Sequence, residues 1–149
     1  MLWRAIFAFL ALPGIVAFAV PLTLARSQLN PLRVWMIGLL PLAAGIILLL
    51  YCVREFYVAG RGTLAPWSPP RNLVTTGPYR YSRNPMYVGV GTILFGWSVL
   101  FHSQTLAIYA ICVVIAFYLR VLFFEEPWAA GKFGDQWQQY RARVARWLF

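Results

Sequence analysis

The chain has 149 residues, of which 61% are apolar, 17% aromatic and only 11% charged, and its formal net charge is +9. A soluble domain devotes about a quarter of its residues to charge, so this composition excludes an ordinary water-soluble enzyme. With about 20 apolar residues needed to cross a hydrocarbon layer roughly 30 Å thick, the length allows four helical spans and no separate soluble catalytic domain, so an active site must be assembled from helix ends, loops and the C-terminal tail.

The first predicted span runs from about Ala5 to Ala25. It is too long for the apolar core of a cleaved leader and is read as retained. Pro13, Gly14 and Pro21 lie inside it, and membrane helices tolerate such residues where neighbours satisfy the freed backbone groups. A polar turn, Arg26 to Arg33, leads to a second span from about Val34 to Val53, so the two are expected to form a hairpin. Residues 54–84 then change character: five arginines, Pro66, Pro69, Pro70 and Pro78, and glycines at 60, 62 and 77 break regular structure. Loops this long in a small protein are functional or disordered, and Trp67, Tyr79 and Tyr81 argue for order.

Pro85 suits a first helical position, where its missing N–H has no partner to lose, and opens a third span to about Phe101. The turn His102-Ser103-Gln104 reverses the chain into a fourth, about Thr105 to Phe124, giving a second hairpin. In the tail, residues 127–149, Phe133, Trp137, Tyr140, Val144 and Trp147 recur at spacings of four and three between polar residues, the signature of an amphipathic helix lying on a membrane surface. The fold expected is all-α: one membrane domain of about four transmembrane helices in two hairpins, plus this interfacial helix.

Basic residues set the orientation. One side collects Arg4, the loop arginines, Arg120 and the four cations of the tail, while the other has only Arg26 and Arg33. The termini, the loop and the tail are therefore expected in the cytoplasm, facing membrane lipids that include anionic ones. Nucleic acid is excluded as a partner, because the charge flanks apolar spans and no recognition module is present. Cys52 and Cys112 lie in apolar stretches without metal-type spacing and read as packing residues; oligomeric state is left open.

All four acidic residues, Glu55, Glu125, Glu126 and Asp135, fall on the basic side. The adjacent glutamates have two readings. In one, Pro127 opens a new helix with Glu126 at its cap; in the other, the pair receives a cationic ligand, which relieves the repulsion between them. From Arg71 to Tyr87 turn formers, arginines and tyrosines are packed densely enough to wall a polar ligand, beyond interfacial anchoring. Gly89-Val90-Gly91 lacks the third glycine and the preceding strand of a dinucleotide fingerprint; helix packing is its simpler use.

Leu73 through Gly89, Glu125-Glu126-Pro127, Phe133-Gly134, Tyr140, Val144 and Trp147 together resemble the integral membrane methyltransferases that include isoprenylcysteine carboxyl methyltransferase and phosphatidylethanolamine N-methyltransferase. The resemblance covers roughly Arg71 to Phe149. It implies S-adenosylmethionine as cofactor, held by a wall of Arg71, Asn72, Leu73, Val74, Tyr79, Asn84, Pro85, Met86 and Tyr87, with Gly89 and Gly91 as further contacts and Glu125 and Glu126 closing the site. Glu125, Glu126 and Arg120 are the catalytic candidates, and the methyl acceptor is a lipophilic small molecule embedded in the membrane. Two departures weaken prenylcysteine as that acceptor: Asn84 stands where those enzymes have histidine, and Val121 stands where they have an arginine one turn before the acidic pair, with Arg120 adjacent. The chemistry fits independently, since a carboxylate holds an amino group and tyrosine faces contact cationic sulfonium. The alternatives are an NADPH-dependent sterol-type reductase, disfavoured because two acids would repel a polyanionic cofactor, and a non-catalytic membrane interaction protein, which leaves the ordered loop unexplained.

Overall fold

The computed structural model of the chain describes residues 10–26, 35–61 and 70–148. Arg4 and the start of the first predicted span, most of the turn from Arg26 to Arg33, and the part of the loop with Pro66, Trp67 and Pro69 lie outside the described residues. No strand occurs among the described residues. A π-helical stretch, Leu10–Ala19, runs directly into α1 (Val20–Arg26). After the 3-10 turn Met36–Gly38 comes α2 (Leu39–Val58); a second 3-10 turn, Gly77–Arg80, precedes α3 (Pro85–Leu100). α4 (Gln104–Arg120) passes through a π turn, Val121–Glu125, into α5 (Glu126–Phe133), and α6 (Asp135–Arg143) ends the helical part.

Two continuous helices, Met36–Val58 and Gln104–Phe133, are long and apolar enough to cross a membrane, and Pro13–Arg26 and Pro85–Leu100 are shorter apolar helices. Only 17% of the most apolar window of Gln104–Phe133 is buried inside the protein. A helix at the centre of a soluble domain buries its apolar surface; here Leu40, Ile47, Ile108, Ile111 and Phe124 face outward. That is the arrangement expected where lipid is the solvent.

The most extensive helix contact is between α2 and α3, not within the two hairpins read from the sequence. The cause is a pair of small-residue stripes. Gly38 and Gly45 are seven residues apart, as are Gly89 and Gly96, and the stripes meet antiparallel. A Cβ on Gly45 would lie 2.7 Å from the Gly89 carbonyl oxygen, and one on Gly96 would lie 2.7 Å from the Leu42 nitrogen. Backbones this close gain dispersion contact that larger side chains would forbid. Around them Leu49, Val90, Ile93 and Leu94 form the buried core.

The first segment is tied to α3 and α4 by side-chain donors. Pro21 has no N–H to give to the carbonyls four and five residues before it, which are those of Ala17 and Val16. Trp97 Nε1 donates to Ala17 O at 2.9 Å and the Tyr109 hydroxyl to Val16 O at 3.1 Å. The proline in the first apolar segment thus creates acceptors that side chains of α3 and α4 satisfy.

Three boundaries differ from those read in the sequence. α2 continues to Val58, taking in Arg54 and Glu55 from the expected loop. Pro127 does not start a helix, because the chain stays helical from Gln104 to Phe133. The tail is not one amphipathic helix: Gly134, at φ +51°, breaks it, and Val144 is extended. Trp137 and Tyr140 still bury with Ala129 as the spacing implied. Cys52 is buried, whereas Cys112 is exposed on α4.

Replacing Gly45 by alanine should destabilise the protein by about 1–3 kcal/mol through overpacking against the α3 backbone. Gly131→Ala, where an added Cβ meets nothing within 4 Å, should be neutral or stabilising by up to about 1 kcal/mol. Unfolding of both variants in mixed micelles checks the contrast.

Candidate functional site

The site gathers where the loop, the start of α3, the end of α4 and the tail converge. Its loop wall is fastened to α2. Glu55 is buried and accepts from the Thr76 hydroxyl at 2.5 Å and from Arg54 Nη1 at 3.0 Å. Gly77 follows at φ +57°, with the Glu55 side chain packed against its Cα, so a glycine is needed both for the backbone and for space. Val74 and Tyr79 then bury against Cys52, while Leu73 packs on the tail beside Trp137 and Tyr140. The Tyr140 hydroxyl donates to the Tyr79 carbonyl at 2.7 Å, and burial raises the pKa of Tyr140.

Glu125 and Glu126 point to different partners. Pro127 cannot donate to the carbonyl of Phe123, and its ring crowds that oxygen; the helix answers with the π turn Val121–Glu125 immediately before it. In an α-helix residues five apart are about 140° apart around the axis, whereas a turn with i→i+5 hydrogen bonds brings them to one face. Arg120 Nε consequently donates to Glu125 Oε1 at 2.8 Å. The apparent misregister of Arg120 in the sequence is removed by one widened turn. The Tyr87 hydroxyl donates to the same Oε1, and Glu125 Oε2 has no hydrogen-bond partner among the described residues. The Glu125 side chain is 35% exposed.

Glu126, by contrast, is occupied on both oxygens. Arg146 donates through Nε to Oε1 at 2.9 Å and through Nη2 to Oε2 at 2.8 Å, and Arg83 Nη1 stands 2.8 Å from Oε1 as an ion-pair contact without hydrogen-bond alignment. Burial lowers the pKa of Arg83, and the bond to Glu126 raises that of Arg146. The two chain segments are also zipped by main-chain groups: Arg83 N–H donates to Ala145 O at 2.9 Å, and Asn84 Nδ2 to Arg146 O at 3.1 Å. Asn84 therefore spends its amide on the tail.

This clamp lays Trp147 along α4, stacked on Tyr118, where it lines a groove of about 300 Å³ between α3 and α4 with Tyr87, Gly91, Thr92, Phe95 and Phe117. The glycine pair divides as a two-residue step on a helix requires, about 200° around the axis. Gly89 is buried against Gly45 and Leu49 of α2, while Gly91 faces Val114 across the groove.

Of the residues singled out in the sequence, Tyr87 and Gly91 line the groove, and Glu125 and Arg120 are joined to it through the Tyr87 hydroxyl. Leu73, Val74 and Tyr79 shape the loop wall behind it; Pro85 and Met86 set the start of α3, and Met86 packs into the core. Arg71 N–H and Asn72 bond back to the end of α2 at Gly60 and Ala59. Sequence reasoning missed Arg83, Phe117 and the pairing of Arg146. Arg83 beside Asn84-Pro85 was the available signal, since a cation next to an ordered helix start needs an acid.

The helices and their polar cluster define a helical membrane protein with a site at the end of its apolar segments. The family model described as Phospholipid methyltransferase matches residues 34–136, more than half of the chain, and the chain belongs to that family of membrane methyltransferases. No curated protein and no solved structure matches it.

Glu126→Ala should destabilise the protein by about 3 kcal/mol, because it leaves the buried Arg83 charge uncompensated. Glu125→Gln should cost less than about 1 kcal/mol at its partly exposed position. Denaturant unfolding in micelles, followed by near-ultraviolet circular dichroism, separates the two.

Proposed function

We propose that the protein transfers a methyl group from S-adenosylmethionine to a lipophilic acceptor lying in the membrane. The observation that carries this reading is the Oε2 of Glu125, without a hydrogen-bond partner among the described residues, on a carboxylate that the Tyr87 hydroxyl ties to a groove with apolar and aromatic walls. S-adenosylmethionine brings an amino group, which suits a free carboxylate oxygen held in place by Tyr87 and Arg120, and a sulfonium, which suits the faces of Tyr87, Phe117 and Trp147. The groove continues between α3 and α4 past Gly91 and Phe95, giving an apolar acceptor a route to the same end of the helices.

The cofactor would supply the electrophilic methyl; the chain's own residues bind, orient and exclude water, which is most of what methyl transfer needs. If the acceptor arrives as an ammonium, Glu125 takes its proton so that the freed amine lone pair can attack the methyl. Glu126 belongs to the clamp that holds Trp147 over the groove, so its contribution is to position. Family membership supports methyl transfer. In this reading the chain crosses the bilayer four times, with the loop, the tail and both termini in the cytoplasm, where the basic residues gather.

Titration calorimetry of the purified protein in detergent should show S-adenosylmethionine binding, weakened about tenfold or more in Glu125→Gln, the loss of one charged hydrogen bond. Unchanged affinity removes Glu125 from the site, and preference for NADPH reverses the assignment. Membranes incubated with methyl-labelled cofactor should carry the label in the lipid extract rather than in protein.

A further inference from the structure

A second cavity, about 570 Å³, opens between the loop and α6 and shares no lining residue with the α3–α4 groove. Thr75 and Arg80 face it from the loop, and Gln136, Gln139 and Arg143 from α6. The three helix residues follow i, i+3, i+7 spacing, so they form one stripe. Both walls are fixed without any ligand: the loop by Thr76 on Glu55, and α6 by burial of Trp137 and Tyr140 and by the Tyr140 bond to Tyr79.

The chemistry of this basin is one-sided. Two guanidiniums, two carboxamides and the hydroxyl-bearing Thr75 and Tyr140 line it, with Leu73 and Val144, and no carboxylate does. Arg80 and Arg143 make no ion pair among the described residues, because Glu55, Glu125 and Glu126 are engaged by other arginines. Asp135 directly precedes Gln136, two turns before Arg143, and does not line the cavity. Convergent arginine forks match the oxygens of a phosphate, and they would repel a sulfonium cofactor. Beside Arg80 in the chain, Tyr81 is 75% exposed, and an exposed tyrosine next to a basic basin suits head-group depth.

We propose that this basin binds the phosphate of an anionic phospholipid head group, at a site separate from the one proposed for methyl transfer. It does not depend on the methyl-transfer reading. The test uses the full chain in detergent micelles, titrated with phosphatidylglycerol, phosphatidylcholine or inorganic phosphate and read by native mass spectrometry. The wild type should hold phosphatidylglycerol more tightly than phosphatidylcholine. Arg80→Gln/Arg143→Gln should lose about tenfold or more of the phosphatidylglycerol affinity, because both charge-assisted hydrogen bonds to the phosphate are removed, with S-adenosylmethionine affinity unchanged. Gln139→Glu, which puts a carboxylate into the basin and leaves both arginines in place, should produce the same selective loss. Arg61→Gln/Arg141→Gln removes equal charge from residues that do not line it and should change the affinity less than about twofold. The proposal is overturned if the Arg80/Arg143 and Gln139 variants bind phosphatidylglycerol as the wild type does, if the control pair loses as much, or if millimolar inorganic phosphate displaces the lipid.

Discussion

One carboxylate between two guanidiniums organises this end of the molecule. Glu126 joins Arg83 of the loop to Arg146 of the tail, and each partner is buried enough that losing another would strand a charge. Because Arg83 also donates its N–H to Ala145, and Asn84 its amide to Arg146, the ion pairs fix the register of a main-chain zipper. The zipper sets Trp147 against the groove between α3 and α4. The neighbouring Glu125, turned to another face, bonds Tyr87 and Arg120 through one oxygen and has no partner among the described residues for the other. Two adjacent acids of like charge thus coexist because each has its own cation: Arg120 for one, Arg83 and Arg146 for the other.

Proline and glycine place the remaining parts. Pro127 widens the helix by one π turn, and only in that register does Arg120 meet Glu125. Pro21 frees carbonyls that Trp97 and Tyr109 take up, tying the first segment to α3 and α4. Gly45 and Gly89 let α2 and α3 touch backbone to backbone, which fixes the start of α3 relative to the loop wall hung on Glu55. Each is a local backbone constraint answered by a distant side chain, so the polar cluster at the helix ends depends on packing well inside the apolar region.

Much of this was legible in the sequence. The apolar helices, the start of α3 at Pro85, the turn at His102 and the turns of residues 70–84 follow from hydropathy and turn chemistry. The methyltransferase family was legible through the order and spacing of Leu73 to Gly89, Glu125-Glu126-Pro127 and the tail residues Phe133 to Trp147 taken together, rather than through any one of them. Helix pairing was not legible, because chain adjacency suggests hairpins, whereas the Gly38/Gly45 and Gly89/Gly96 stripes act between segments separated by a long loop. Nor was the division of the glutamates: periodicity carries no sign of a π turn, and an α-helical count leaves Arg120 out of register. The tail's spacing of four and three read as one helix, yet Gly134 breaks it and Val144 turns the last residues back onto the loop to reach Glu126.

Glu126 holds the tail on the loop, and Glu125, bonded to Tyr87 and Arg120, takes no part in that contact. Hydrogen exchange at the Arg83 amide, donated to the Ala145 carbonyl, reports this contact directly. The amide should exchange slowly in the wild type and in Glu125→Gln, and about tenfold faster or more in Glu126→Ala, as expected when a local opening loses its main restraint. Rapid exchange in the wild type, or equal protection in Glu126→Ala, would contradict it.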